Sequence, residues 1–279
     1  MRPTSWPAPL IGLGGDNVEP VGLDVRAGAL AVGPRGSGRT SALRTILQAL
    51  APDSVGRVIV VARNRELAAD AAASGAEVLP PTAAGLQRLL EHSLAGGGDL
   101  PDGTGTGRYV TDHVAPGDDA TDHPAPGNDP TKRAATGGDP TDHPVRGRVP
   151  TVRAAAPPTV VVVDDADALS QSCPLETERL AELAADGTVA VVASATTMNA
   201  VLAHRGLLAH LRATGSGIVL APSERGAEEV FGCSLEDAVE PGVQLPGRGA
   251  LVIGGRVTAV QLAAPRPIGQ EPSLQAGAA

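Results

Sequence analysis

The sequence of 279 residues contains a single lysine, Lys132, among its 22 basic side chains, and only one each of Phe, Tyr and Trp. A hydrophobic core therefore has to be packed from Ala, Val, Leu and Ile. The accompanying excess of Ala, Gly, Pro and Val is the bias of GC-rich coding. Two cysteines, Cys173 and Cys233, stand far apart with no CxxC, which excludes a disulfide framework and a zinc knuckle. No apolar run approaches the ~18 residues of a membrane span, and the N-terminus lacks a basic region followed by an apolar stretch. The expectation is a cytoplasmic protein, at most peripheral to a membrane complex through a partner. With a formal net charge of −9, an extended basic face for duplex DNA is also disfavoured.

What is present is organised in two ways. A decapeptide repeat, TDHVAPGDDA from Thr111, TDHPAPGNDP from Thr121, TKRAATGGDP from Thr131 and TDHPVRGRVP from Thr141, is dominated by Pro, Gly and Asp. None of its units can bury a core, so residues 96–156 read as a disordered insertion. His113, His123 and His143 recur in it without the fixed geometry of a metal site. Outside the insertion, strand and helix patterns alternate. Strands are predicted at 29–32, 58–62, 77–79, 159–163, 189–193 and 217–221, and helices at 40–50, 65–74, 83–94, 175–185 and 200–213. A terminal hairpin over 249–263 turns at Gly254-Gly255. This order predicts a mainly parallel α/β sheet covered on both faces, with 1–95 and 157–265 as two parts of one domain and 266–279 as a disordered tail. His204, His210, Arg205, Arg212, Arg248 and Arg256 read as surface residues, and Glu176, Glu178 and Glu182 as the solvated side of a helix.

Residues Gly33-Pro34-Arg35-Gly36-Ser37-Gly38-Arg39-Thr40 follow GxxxxG[KR][ST] directly after a strand and directly before a helix, the context a phosphate-binding loop requires. Glycines let the backbone wrap a phosphate, and the helix start adds a positive dipole end. The phosphate-binding set is Gly33, Arg35, Gly36, Ser37, Gly38, Arg39, Thr40 and Ser41, with the Thr40 hydroxyl on Mg²⁺. Arg39 stands where such loops carry lysine. A planar guanidinium is a different donor from a compact ammonium, so phosphate binding is expected to survive better than catalytic positioning.

The apolar run Val160-Val161-Val162-Val163 ends in Asp164-Asp165. Such a strand is expected beside the P-loop strand, with Asp164 reaching the Mg²⁺ shell. A further strand ends in Ala193-Ser194-Ala195-Thr196-Thr197. There Thr197 reads either as a γ-phosphate sensor or, with its neighbour, as a helix cap.

In the order of these elements the chain resembles the FtsK/SpoIIIE family of RecA-like motors, and within it the degenerate C-terminal ATPase modules of actinobacterial FtsK/SpoIIIE-type and EccC-like (type VII secretion) proteins. The resemblance rests on the lead-in Leu10–Gly14 and Glu19–Asp24, GPRGSGRT, VVVVDD, Ala195-Thr196-Thr197 and Pro246-Gly247-Arg248-Gly249 before a hairpin. It implies a RecA-like P-loop fold, ATP and Mg²⁺ as ligands, and a parent activity of moving DNA or secreted polypeptide. It also implies catalytic positions for Asp165, where the motors carry glutamate, and for Thr197, where they carry glutamine. Arginine for lysine, aspartate for glutamate and threonine for glutamine together imply weak or absent hydrolysis.

Three functional classes remain open on the sequence. The first is an ATP-binding module that regulates or completes a motor, as a homo-oligomer or docked on an active module. The others are an active ATP-driven translocase and a nucleotide-free binding module with the acidic repeat as a tether. A small-molecule kinase ranks last, since an acidic linker stands where an arginine-rich lid would be needed.

Overall fold

The structure, a computed structural model, describes residues 8–50, 55–95, 159–239 and 245–266. All of them belong to one compact unit. The decapeptide repeat and its histidines lie outside the described residues, as does the tail beyond Arg266. In chain order the elements are β1 (Leu10–Gly14), β2 (Glu19–Gly22), β3 (Ala29–Val32), α1 (Arg39–Ala49), β4 (Arg57–Val61), α2 (Arg65–Ala73), β5 (Glu77–Leu79) and α3 (Ala83–Ala95). After the repeat come β6 (Thr159–Val163), α4 (Ala166–Ser172), α5 (Pro174–Ala185), β7 (Val189–Ala195), α6 (Thr197–Leu202), α7 (Gly206–Ala213), β8 (Ser216–Leu220), α8 (Ala227–Phe231), β9 (Arg248–Ile253) and β10 (Arg256–Leu262).

The strands form one sheet in the order β2-β1-β10-β9-β8-β3-β7-β6-β4-β5. From β8 to β5 every neighbouring pair is parallel, and the remaining strands add on antiparallel. Parallel strands buried on both faces are largely apolar, which explains why β3, β6, β7 and β8 are dominated by Ala, Val, Ile and Leu, with Thr159, Ser194, Ser216 and Gly217 as the exceptions. The two faces hold separate cores. Ala42, Leu43, Ile46 and Leu47 of α1, with Leu67 and Ala71 of α2, cover one. The other carries side chains of α3 through α8, among them Leu89, Leu169, Leu180 and Leu211.

Two expectations need correction. The Asp164 strand does not lie beside the P-loop strand: β7 separates β6 from β3. The physical gain is a polar bridge, because Ser194 on β7 reaches the carboxylate at the end of β6. The predicted helix over 200–213 is two helices, broken between Leu202 and Gly206, with Ala203 extended and Gly206 at φ 70°. The break is held by Arg212. Its guanidinium donates to the carbonyls of Ala200, Val201 and Ala203 at the end of α6 and of Glu229 and Val230 in α8. Arg212 is thus an internal staple and not a surface arginine. His210 is likewise half-buried, its Nε2 shielded without a partner.

The chain leaves β10 along α1. Thr45 Oγ1 donates to the Ala263 carbonyl (2.8 Å), and the Gln48 amide brackets Arg266, accepting from its N–H (2.8 Å) and donating to its carbonyl (3.1 Å). Between Gly254 and Gly255, both with positive φ, the β9–β10 hairpin turns as its sequence predicts. Among the described residues no helix is long and apolar enough to cross a membrane, and Cys173 and Cys233 are free thiols.

Candidate functional site

Three chain segments converge at the C-terminal ends of β3, β6 and β7. The first is the loop 33–38. Gly36 and Gly38 take positive φ, 83° and 97°, and Gly38 is the N-cap of α1. Gly33 is required for a different reason: a Cβ there would lie 2.5 Å from Ser37 Oγ and 2.7 Å from the Leu220 carbonyl oxygen. The first bond of α1 runs from the Ala42 N–H to the Gly38 carbonyl (2.8 Å). The amides of Arg39, Thr40 and Ser41 therefore start the helix without an intrahelical acceptor. Ser37 Oγ is also buried with no partner. Unsatisfied donors around a glycine cradle are what an anion demands.

The second segment is the end of β6. Thr40 Oγ1 donates to Asp164 Oδ1 at 3.3 Å, and Ser194 Oγ donates to the same oxygen at 3.1 Å. Burial, reinforced by the adjacent Asp165 charge, pushes the Asp164 carboxyl above the ordinary range against those two bonds. A charge kept in so unfavourable a place suits a divalent cation, which would relieve both contributions. Asp165 follows at φ 52°, ψ 54°, a left-handed conformation unusual for a residue other than glycine. Its backbone N–H donates to Ser194 Oγ (2.9 Å), and its carboxylate pairs with Arg39 Nη2 at 3.1 Å. The Arg39 side chain is only 11% exposed, and its Nη1 is buried with no hydrogen-bond partner.

The third segment is the turn from β7 into α6. Thr196 is the N-cap of α6, but its hydroxyl does not cap the helix. It donates instead to Asp167 Oδ2 (2.8 Å), which also accepts from the Thr196 N–H (3.3 Å) and from Asn199 Nδ2 (2.7 Å). Burial raises the Asp167 carboxyl, and the bonds from Asn199 and Thr196 together with the Arg39 charge outweigh it, holding the group below its ordinary value. Thr197 is buried, with its hydroxyl on Glu224 Oε2 at 2.5 Å.

Arg39 thus pairs with Asp165 and Thr40 with Asp164, whereas Thr197 hydrogen-bonds to Glu224. Arg35 and Ser41 are exposed on the loop and the first turn of α1. Sequence reasoning missed Asp167, Ser194, Asn199 and Glu224. A third acid in Asp164-Asp165-Ala166-Asp167 was a usable signal for the first. The partners of Asp167 come from about thirty positions downstream and had none.

No protein-family model matches the chain, and no curated protein does. Solved structures do match. ATPases 2 and 3 of EssC from Geobacillus thermodenitrificans superpose with a TM-score of 0.62 at 17% identity, covering 93% of this chain and 42% of that one. The cytoplasmic domain of the type VII secretion ATPase EccC from Thermomonospora curvata gives 0.58 at 18% identity, covering 94% and 27%. EccC ATPases 2 and 3 in complex with a signal sequence peptide give 0.58 at 17%, covering 95% and 42%. The chain therefore spans less than half the length of these structures. What it shares with them is the α/β fold of P-loop ATPase domains.

Proposed function

We propose that this chain is an ATP-binding module of the FtsK/SpoIIIE type, weak or inactive in hydrolysis, that regulates or completes a larger translocating assembly. The observation that carries the reading is the Arg39–Asp165 ion pair beside the Thr40–Asp164 contact. The loop amides and the Arg39 charge would hold the phosphates, and Thr40 and Asp164 would hold Mg²⁺. Bound ATP would supply the free energy of phosphoryl transfer. Hydrolysis needs a carboxylate placed to polarise water, and the one suited by position, Asp165, is turned onto the Arg39 guanidinium in the unliganded site. Aspartate is also one methylene shorter than glutamate, and a misplacement of ~1 Å costs on the order of 100-fold in rate.

In this reading residues 96–156 are an insertion within one domain, and the module acts in the cytoplasm, as a homo-oligomer or docked on an active motor. The similar EccC structure that carries a signal sequence peptide, together with the net charge of −9, favours a secreted polypeptide over DNA as the polymer of the parent assembly. Calorimetry and a phosphate-release assay on the purified chain test the proposal. Expected are micromolar binding of Mg·ATP and turnover far below the ~10 per second of ordinary enzymes. Brisk turnover abolished by Asp164→Ala would make it a working motor instead. No binding at millimolar ATP or ADP would make it a nucleotide-free module.

A further inference from the structure

Arg39 is almost wholly buried, yet only one of its terminal nitrogens is satisfied, and the partner is a carboxylate of the same chain. That carboxylate sits on a residue held in the left-handed region, a conformation that side chains other than glycine adopt at a cost. The β6–α4 turn thus presents Asp165 to the P-loop at an energetic cost. A shielded guanidinium paired with an acid of its own chain is a phosphate ligand whose counter-ion is already built in.

We propose that Asp165 is an internal competitor of the nucleotide's phosphates for Arg39, so that binding requires the phosphates to displace a carboxylate. This deepens the nucleotide-binding reading above and rests on it. The consequence is a site whose affinity is set from within: a polyphosphate must outbid the resident carboxylate, and ligands with fewer charges do so less well.

The test is a comparison of wild type, Asp165→Asn, Arg39→Ala and the double variant, each titrated calorimetrically with Mg·ATP. Asparagine is the substitution of choice because it tolerates the left-handed backbone and preserves the side chain's shape. Asp165 is 38% exposed, so solvent screens the pair. The expected gain in affinity on Asp165→Asn is about three- to tenfold. In the Arg39→Ala background the same change should bring no gain. Tighter binding by the double variant than by Arg39→Ala alone, or its appearance where Arg39→Ala binds nothing, would overturn the proposal, since Asp165 would then act as a repulsive charge and not as a competitor. Unchanged or weaker binding by Asp165→Asn would overturn it as well. Failure of every protein, wild type included, to bind nucleotide would refute the nucleotide-binding reading itself, which is a different result.

Discussion

Replacing Arg212 by alanine removes one side chain and with it a charged donor to five carbonyl oxygens. The guanidinium donates at 3.0 Å to Ala200, 2.8 Å to Val201 and 3.1 Å to Ala203, and at 3.2 Å to Glu229 and 3.0 Å to Val230. The helices it terminates, α6 with six residues and α8 with five, are far too short to persist on their own. Bonds to a charged donor contribute about 1.5–3 kcal/mol each when isolated. Carbonyls at helix ends regain some of that from water, so the sum of five is an upper bound that will not be reached. A loss of about 3–5 kcal/mol is the reasoned figure, equivalent to roughly 10 °C in Tm for a domain of this size. Lysine at the same position offers one point charge and cannot serve both helix ends, so Arg212→Lys should recover less than half of the loss. Urea titration followed by far-UV circular dichroism measures the effect, with Arg205→Ala, an exposed neighbour, as the reference expected within ~0.5 kcal/mol of wild type. A change below ~1 kcal/mol for Arg212→Ala would show that water replaces the staple at no loss, and the account of the broken helix would have to be abandoned.

Asp164→Asn should stabilise the unliganded protein at pH 7 while abolishing Mg²⁺-dependent nucleotide binding. The folded state holds a proton on Asp164 more readily than the unfolded chain does. Wild type therefore loses stability as pH rises from the ordinary carboxylate range through the raised value, and the asparagine profile should be flatter there; identical pH profiles would refute the assignment. Gly33→Ala should cost about 1–3 kcal/mol in chemical denaturation, because a Cβ has no room between Ser37 and Leu220. Arg39→Lys should raise ATP turnover with little change in affinity in a coupled assay, since a compact ammonium places its charge on the phosphates differently from a planar guanidinium. An unchanged rate would shift the defect to Asp165 and Thr197.

Much of the fold was legible because its strands are buried on both faces and so spell themselves out as apolar runs: Ala29–Val32 and Thr159–Val163 lie where the pattern put them. The glycine loop between β3 and α1 was equally legible, since glycine spacing is a local property. Non-local facts were not. That β7 separates β6 from β3 is a matter of crossover, and nothing in either strand encodes its neighbour. Helix α4 was missed because its seven residues are too few to show a period. The split between α6 and α7 was hidden by an uninterrupted helical pattern, and the residue responsible, Arg212, acts from ten positions beyond Leu202. The Arg39–Asp165 pair joins residues from two motifs that the sequence offers separately.

The way the chain exits the sheet has a mechanical corollary. Residues Ala263 to Arg266 are fastened to Thr45 and Gln48, on the helix whose first turn supplies the open amides of the phosphate loop. Tension on the backbone at Arg266 would meet that helix first, through Gln48, and then at Ala263 both the helix, through Thr45, and strand β1, through the Ile11 carbonyl. Conversely, a displacement of α1 by its ligand would be felt at the exit within a few bonds, which makes this strip of chain a natural output shaft for the site.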